Sequence, residues 1–265
     1  KDISIALAKE LKVVGLMNVQ FAVQGKAIYV LEVNPRASRT VPFISKATGV
    51  PLARIASLCM VGRSLKSLGL TRDPEVRHIA VKESVFPFAR FSNTDVILGP
   101  EMKSTGEVMG IDSRIDAAFA KSQLAAGTKL PTGGKAFVSV KDDDKPGLVD
   151  LARRLEALGF GLLATGGTHD YLQKKGITTT KVNKVLEGSP HIVDCVHAGE
   201  VTLVFNTTAG KKEIADSFSI RRESLLKGVA HFTTLEAARM IVGALEAQAT
   251  SKREYKPIQE WLKPR

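Results

Sequence analysis

The sequence predicts an α/β protein in two parts, the second built on a parallel β-sheet. Three features carry that expectation. Beyond Gly127, short apolar runs ("AFVSV", "GLLAT", "TTKVN", "VTLVFNTT") alternate with segments of helical period, as a parallel sheet covered on both faces requires. Before Gly127 the rhythm differs: a hairpin is followed mostly by helices. Between them lies "GTKLPTGGK", dense in Gly, Thr and Pro, which marks a boundary. A chain of 265 residues is long enough for two cores, so domains are expected over residues 1–127 and 128–265.

The elements follow in order. "ISIALAKELKVVG" reads as an opening helix, without an initiator methionine, and a piece of a longer protein is expected. "VVGLMNVQFAVQGKAIYVLEVN" reads as two strands joined at Gln24-Gly25-Lys26. "VPLARIASLCMVGRSL" and "DAAFAKSQLAAG" have helical apolar spacing, and "VKESVFPFARF" is strand-like. In the second part, Asp144 is placed to cap a helix with Pro146 in its first turn and an apolar stripe at Leu148, Leu151, Leu155 and Leu158. Strand "GLLAT", the turn "GGT", a helix through Leu172, strand "TTKVN", a helix through Val193 and strand "VTLVFNTT" come next. "TTLEAARMIVGALEAQA" closes the domain as a long helix, and "SKREYKPIQEWLKPR" is a charged tail with Trp261 as its anchor.

Composition narrows the function classes. The net charge of +11 divides evenly about Gly127, 17 basic against 11 acidic residues and then 21 against 16. With no basic tail and 6% aromatic residues, base-stacking platforms are scarce, and small anionic ligands account for the charge. No nucleic-acid partner is expected. No apolar run has membrane-spanning length and there is no signal peptide, so the expectation is a cytoplasmic protein without a membrane partner. Cys59 and Cys195 lie far apart and do not form a disulfide framework.

Two constellations carry chemistry. In "LEVNPRASRT", Glu32 and Asn34 share one face of a strand, and the hairpin brings Gln20 towards them. Pro35 then ends the ladder and the chain turns through Arg36 and Arg39. Oxygen donors beside paired guanidinium groups suit a hard cation holding phosphates. In the second part, polar residues collect at the strand C-terminal ends, where parallel sheets bind ligands. Thr165-Gly166-Gly167-Thr168 opens a helix and offers a phosphate cradle, joined by Lys145, Lys184, Asn206, Thr207 and Thr208. His169 and Asp170 fall in the first helical turn, and no general base stands beside the cradle, so binding without chemistry is expected there. His191, Cys195 and His197 in "HIVDCVH" lack the further ligand zinc would need.

These segments also resemble a family. "GLMNVQFAV", "EVNPRASRTVPFISKATGVPLA", "KESVFPF" and "LGPEMKSTGEVMG" are similar to the large subunit of carbamoyl-phosphate synthetases, at the end of its second ATP-grasp half. Everything after Gly127 resembles that subunit's C-terminal regulatory domain, of methylglyoxal-synthase-like, Rossmann-like fold. The resemblance implies an ATP-dependent ligase that phosphorylates carbamate for pyrimidine and arginine synthesis, under nucleotide control. It implies Gln20, Glu32 and Asn34 as ligands of Mg²⁺ or Mn²⁺, Arg36 and Arg39 as phosphate contacts at the reaction centre, ATP as substrate and K⁺ as a further ion. Lys145, Thr165, Thr168, Lys184, Asn206 and Thr208 match positions that bind a nucleoside monophosphate, UMP or IMP. Glu83 and Thr233 match contacts to the activator ornithine, although His231 stands where some bacterial relatives have a tyrosine. The implied partners are the rest of the large subunit and a glutamine amidotransferase small subunit, in a homo-oligomer of that heterodimer. The upstream ATP-grasp lobes are not among these residues, so the chain alone is expected to be inactive. A stand-alone nucleotide-binding regulatory module is the alternative.

Overall fold

The computed structural model describes residues 1–91, 95–99, 101–250 and 254–263, and the chain forms two units. The first holds residues 1–78 together with the tail from Tyr255, and the second runs from Ile79 to Glu254. The division between compact units thus falls some fifty positions before Gly127, for a reason that lies in the packing of one helix.

In the first unit, α1 (Asp2–Glu10) precedes an antiparallel hairpin of β1 (Asn18–Gln24) and β2 (Ala27–Asn34), followed by α2 (Thr40–Thr48) and α3 (Leu52–Met60). The hairpin turn uses Gly25 at φ +58°, a left-handed conformation that glycine adopts without a Cβ clash. The register shifts once: Gln20 faces Glu32 but Phe21 faces Val30, so Leu31 is left over as a bulge. That extra residue rotates the outer hairpin against the inner part. Val19, Phe21, Val23, Ile28, Val30 and Val33 consequently share an apolar face, and Asn18, Gln20, Glu32 and Asn34 share the opposite one. The apolar face stays open: Val23 is 70% exposed and Ile28 54%. Among this unit's described residues the buried apolar positions are Ala47 and Ala56, on α2 and α3. The tail joins through α11 (Ile258–Trp261), where Trp261 meets His78 edge-on at 6.1 Å, while His78 Nε2 lies 2.8 Å from the Ala47 carbonyl. Ser251–Arg253 and Pro264–Arg265 of the tail lie outside the described residues.

The second unit starts with the antiparallel pair β3 (Ile79–Val85) and β4 (Gly106–Asp112), and α4 (Ile115–Ala125) lies on it. A five-stranded parallel sheet follows, in the order β7-β6-β5-β8-β9. Its strands are β5 (Gly134–Ser139), β6 (Phe160–Thr165), β7 (Thr180–Val182), β8 (Val201–Asn206) and β9 (Ala230–Phe232). The helices are α5 (Lys145–Ala157), α6 (Gly166–Gln173), α7 (Ile192–His197), α8 (Lys211–Asp216), α9 (Phe218–Lys227) and α10 (Leu235–Thr250). Strand alternation divides the interior in two. Ala136, Val138, Leu162, Ala164, Leu203 and Phe205 point to a core with α5 and α10, whereas Phe137, Leu163 and Val204 point to one with α7 and α9. Ala120 of α4 belongs to the first of these cores, packed with α10, and this is what ties residues 79–127 to the second unit.

Several elements escaped the apolar pattern. β4 carries Gly106 and Gly110, and α9 buries Arg221 and Ser224 beside the single apolar Ile220. Asp144 occupies the N-cap position of α5, but its side chain makes no cap hydrogen bond; residues Asp142–Asp144 form a 3-10 turn that leads into the helix. The expected helix through Val193 divides into a 3-10 turn at Val185–Glu187 and α7, which His191 caps through Asp194. Among the described residues, no helix is long and apolar enough to cross a membrane.

Candidate functional site

In the first unit, the polar hairpin face assembles as its register dictates. Gln20 sits opposite Glu32, and Asn34 donates from Nδ2 to Glu32 Oε1 at 2.8 Å. Asn18 stands opposite Asn34, a position that pattern reasoning overlooked because its strand start was undefined. Arg36 follows with its amide bonded to the Asn34 carbonyl at 2.8 Å and Nη1 to the Ala37 carbonyl at 3.0 Å. Arg39 is at the N-cap position of α2, exposed like Arg36. One carboxylate with two amides on one face fits the donor set of a hard divalent cation that also binds phosphate. The Asn34–Glu32 hydrogen bond shows the two side chains already within reach of one point.

The second unit places a cavity of about 440 Å³ where its strand order reverses, between the C-terminal ends of β5 and β8. Lys145, Thr165, Thr168, Lys184, Asn206 and Thr208 all line it. Parallel pairing brings these residues together: they end or follow four strands of one sheet, β5 to β8, and all four point the same way. α6 begins at Gly166 with Thr165 at the N-cap, and no side chain caps its first amides. Lys145 Nζ approaches the same turn; a Cβ on Gly167 would lie 3.4 Å from it. That ammonium is held by Asp142 at 2.6 Å, and its proximity keeps the Asp142 carboxyl below the usual carboxylate range.

Hydroxyls stitch the rim. Thr165 and Ser139 share a hydrogen bond of 2.8 Å, Thr168 accepts from the Val140 amide at 3.3 Å, and Thr207 accepts from the Lys141 amide at 3.0 Å. Thr165 and Thr168 are buried and already engaged, so they serve first as struts of the loop after β5. Since Thr168 accepts, its own hydroxyl hydrogen is left to donate. Asn206 is 4% exposed and its Nδ2 has no partner, a costly state for a buried amide unless a ligand satisfies it. Ser139 and Thr207 were not foreseen as a pair, because only the β5–β8 pairing brings them together.

A second cavity of about 660 Å³ lies on the other side of the β8 end. Glu83, Gln123, Arg221, His231 and Thr233 line it, with Asn206 and Thr208 again in the wall. Glu83 accepts from Gln123 Nε2 at 2.9 Å, and burial pushes its carboxyl above the ordinary range. Arg221 is 2% exposed and forks onto Asp95, with Nε to Oδ1 at 2.8 Å and Nη2 to Oδ2, and it also donates to the Ile214 carbonyl at 2.9 Å. Burial alone would raise Asp95, but the hydrogen bonds from Arg221 hold it below the usual carboxylate range. Burial, aided by the Arg221 guanidinium, lowers His231 to about 4, so the ring is neutral near pH 7, and its Nε2 is buried without a partner. Arg221 and Asp95 gave no sequence signal, since their ion pair spans 126 positions, whereas His231 was noted only through the resemblance.

Comparison with known proteins assigns a family model to part of each half of the chain. Residues 1–68 match the model of the carbamoyl-phosphate synthase L chain ATP-binding domain, and residues 147–233 match the MGS-like domain. The chain is 68% identical over 262 residues to the carbamoyl phosphate synthase large chain of Myxococcus xanthus, covering 99% of this chain and 24% of the relative. It is 51% identical over 262 residues to that of Mesorhizobium japonicum and 55% identical over 240 residues to that of Pseudomonas putida, covering 97% and 91% of this chain and 22% of each relative. The chain therefore spans about a quarter of the length of these relatives. With an ATP-binding-domain segment followed by an MGS-like domain, it corresponds to the C-terminal portion of the carbamoyl phosphate synthase large chain.

Proposed function

We propose that this chain supplies the metal-and-phosphate end of an ATP-dependent ligase together with its nucleotide-sensing domain. The first role belongs to residues 1–127 and the second to residues 128–265. Gln20, Glu32 and Asn34 would hold Mg²⁺ or Mn²⁺, whose chemistry when bound is to neutralise phosphate charge. Arg36 and Arg39 would offer forked donors to phosphoryl oxygens. In the full-length protein, the reaction is phosphorylation of carbamate by ATP, with ammonia delivered by a glutamine amidotransferase small subunit. The polar hairpin face supports this over a stand-alone binding module, since a module without catalysis has no use for Glu32 flanked by two amides and two arginines.

The observation that carries the sensing role is the cavity at the β5–β8 reversal, where the open first turn of α6, the Lys145 ammonium and the unsatisfied Asn206 amide converge. A monophosphate on the α6 N-terminus satisfies those donors, with Lys184 as a point charge at the rim. UMP and IMP are the ligands of choice, and the second cavity, with Glu83 and Thr233, takes an amino acid such as ornithine through its amine. Calorimetric titration of UMP and IMP into the chain tests this. At least one nucleotide is expected to bind, and Lys184→Ala is expected to weaken it by about tenfold, one charge-assisted contact's worth. Absence of binding by both nucleotides, or unchanged affinity in the variant, would remove the assignment.

A further inference from the structure

Helix α2 starts from Arg39 at its N-cap, runs for nine residues and ends at Gly49, which adopts the left-handed conformation at φ +75°. Its first turn therefore belongs to the phosphate-facing end of the hairpin site, and its last turn lies well away from it. The helix sits in a unit with little core: among the described residues, the buried apolar positions are Ala47, on α2 itself, and Ala56. Three contacts converge on the last turn. The Ala47 carbonyl, one of the final acceptors of the helix, lies 2.8 Å from His78 Nε2; a carbonyl only accepts, so Nε2 carries the hydrogen. Trp261 of the tail meets that imidazole edge-on at 6.1 Å and 67°, and Lys256 Nζ lies 5.4 Å from the Trp261 ring centroid. Leu262 covers the cap glycine, since a Cβ on Gly49 would lie 3.4 Å from both of its methyl carbons. The tail follows α10 in sequence, yet it packs with residues 1–78.

From this arrangement we propose that Trp261 and Leu262 are positioning residues for phosphate binding: the tail clamps the last turn of α2 and thereby sets the placement of Arg39 at the other end. The proposal rests on the reading of Arg39 given above. A helix of nine residues is about 13 Å long and stiff, so a tilt at Gly49 is carried through to the N-cap. The indole holds the His78 ring, the ring holds the Ala47 carbonyl, and Leu262 closes over the cap. Without the indole, His78 can turn away and the half-buried last turn loses its donor. A misplacement of about 1 Å, caused far from the chemistry, can weaken a reaction by about a hundredfold. Because Arg39 addresses phosphoryl oxygens, its displacement registers first in the affinity for the phosphorylated reactant.

The test is ATP synthesis from ADP and carbamoyl phosphate by the full-length protein, with KM measured for each reactant. Trp261→Ala is expected to raise KM for carbamoyl phosphate by about tenfold and to leave KM for ADP within about twofold. Loss of folded protein alone would lower the rate at saturation and leave both KM values unchanged. Trp261→Phe keeps a ring edge for His78 and is expected to bring KM back to within about twofold of wild type. Leu262→Ala gives a second measurement if Trp261→Ala does not fold, with an expected rise of about threefold. Arg39→Lys keeps the charge but loses the fork, and it is expected to raise the same KM. An unchanged KM for carbamoyl phosphate in the folded tail variants, while Arg39→Lys raises it, overturns the proposal and leaves Arg39 in its role. An equal rise in both KM values, or a phenylalanine variant as impaired as the alanine one, overturns it as well. An unchanged KM in Arg39→Lys removes the reading of Arg39 and the proposal with it.

Discussion

Gly110→Ala probes the joint between the β3–β4 hairpin and α4. The added Cβ would lie 1.9 Å from the Ala118 carbonyl oxygen and 2.5 Å from the Ser122 amide nitrogen, both backbone atoms of α4. An ordinary carbon–oxygen contact is about 3.4 Å, so the helix must withdraw by roughly 1.5 Å, and no side-chain rotation can relieve the clash. A gap of that size forfeits more than half of the dispersion contacts along the interface. It also disturbs Ser122 and Gln123, which are buried on α4, and Ala120, which belongs to the core shared with α10. Overpacking against rigid backbone costs about 3 kcal/mol or more. For a unit of this size that corresponds to a fall in Tm of about 6–12 °C. Gly106→Ala on the same strand is the control: a Cβ there meets nothing within 4 Å, and its stability should stay within about 0.5 kcal/mol. Thermal and urea unfolding of the full chain would report both. Equal stability of the two variants would refute the claim that close approach at Gly110 seats α4.

The remaining predictions concern the metal face and the buried imidazole. On the proposed function, in which Glu32 is the one carboxylate this chain offers the cation, Glu32→Gln in the full-length protein should lower carbamate phosphorylation by about two orders of magnitude while glutamine hydrolysis persists; near-normal ATP synthesis from ADP and carbamoyl phosphate would contradict it. His231 titrates near 4 when folded against 6.5 when unfolded, so its stabilising contribution is complete above pH 6.5 and is lost as pH falls towards 4, by about 3 kcal/mol. Glu83, held above its ordinary range, acts in the opposite sense, and Asp95, held low by Arg221, loses its contribution only below the usual carboxylate range, so the His231 share is the difference between wild type and His231→Gln in urea unfolding from pH 7 to pH 4; identical pH profiles would refute it.

What could be read from the sequence was local. Strands and helices of the second unit announce themselves because apolar period depends on neighbours a few positions away, and "AFVSV", "GLLAT" and "VTLVFNTT" became β5, β6 and β8 of a parallel sheet. The gathering of polar residues around one cavity at the strand ends was legible for the same reason, since a parallel sheet sends every strand C-terminus to one edge. Glycine-bearing β4, three-residue β9 and the polar α9 were not legible, because each is held by tertiary contacts in place of its own pattern.

The sequence by itself determined that Glu32 and Asn34 lie on one face, two residues apart in a strand, and that Gln20 would meet them across a Gly25 turn. It could not place the Leu31 bulge, which decides that Val30 joins Phe21 on the opposite, apolar face, since a one-residue slip depends on pairing and leaves no mark on composition. Nor could it assign α4 to the second unit or join Arg221 to Asp95, 126 positions apart. Those choices were left to tertiary structure, where burial removes water as an alternative partner. A guanidinium, a carboxylate and the Asn206 amide must then find their counterparts in whatever the fold brings near.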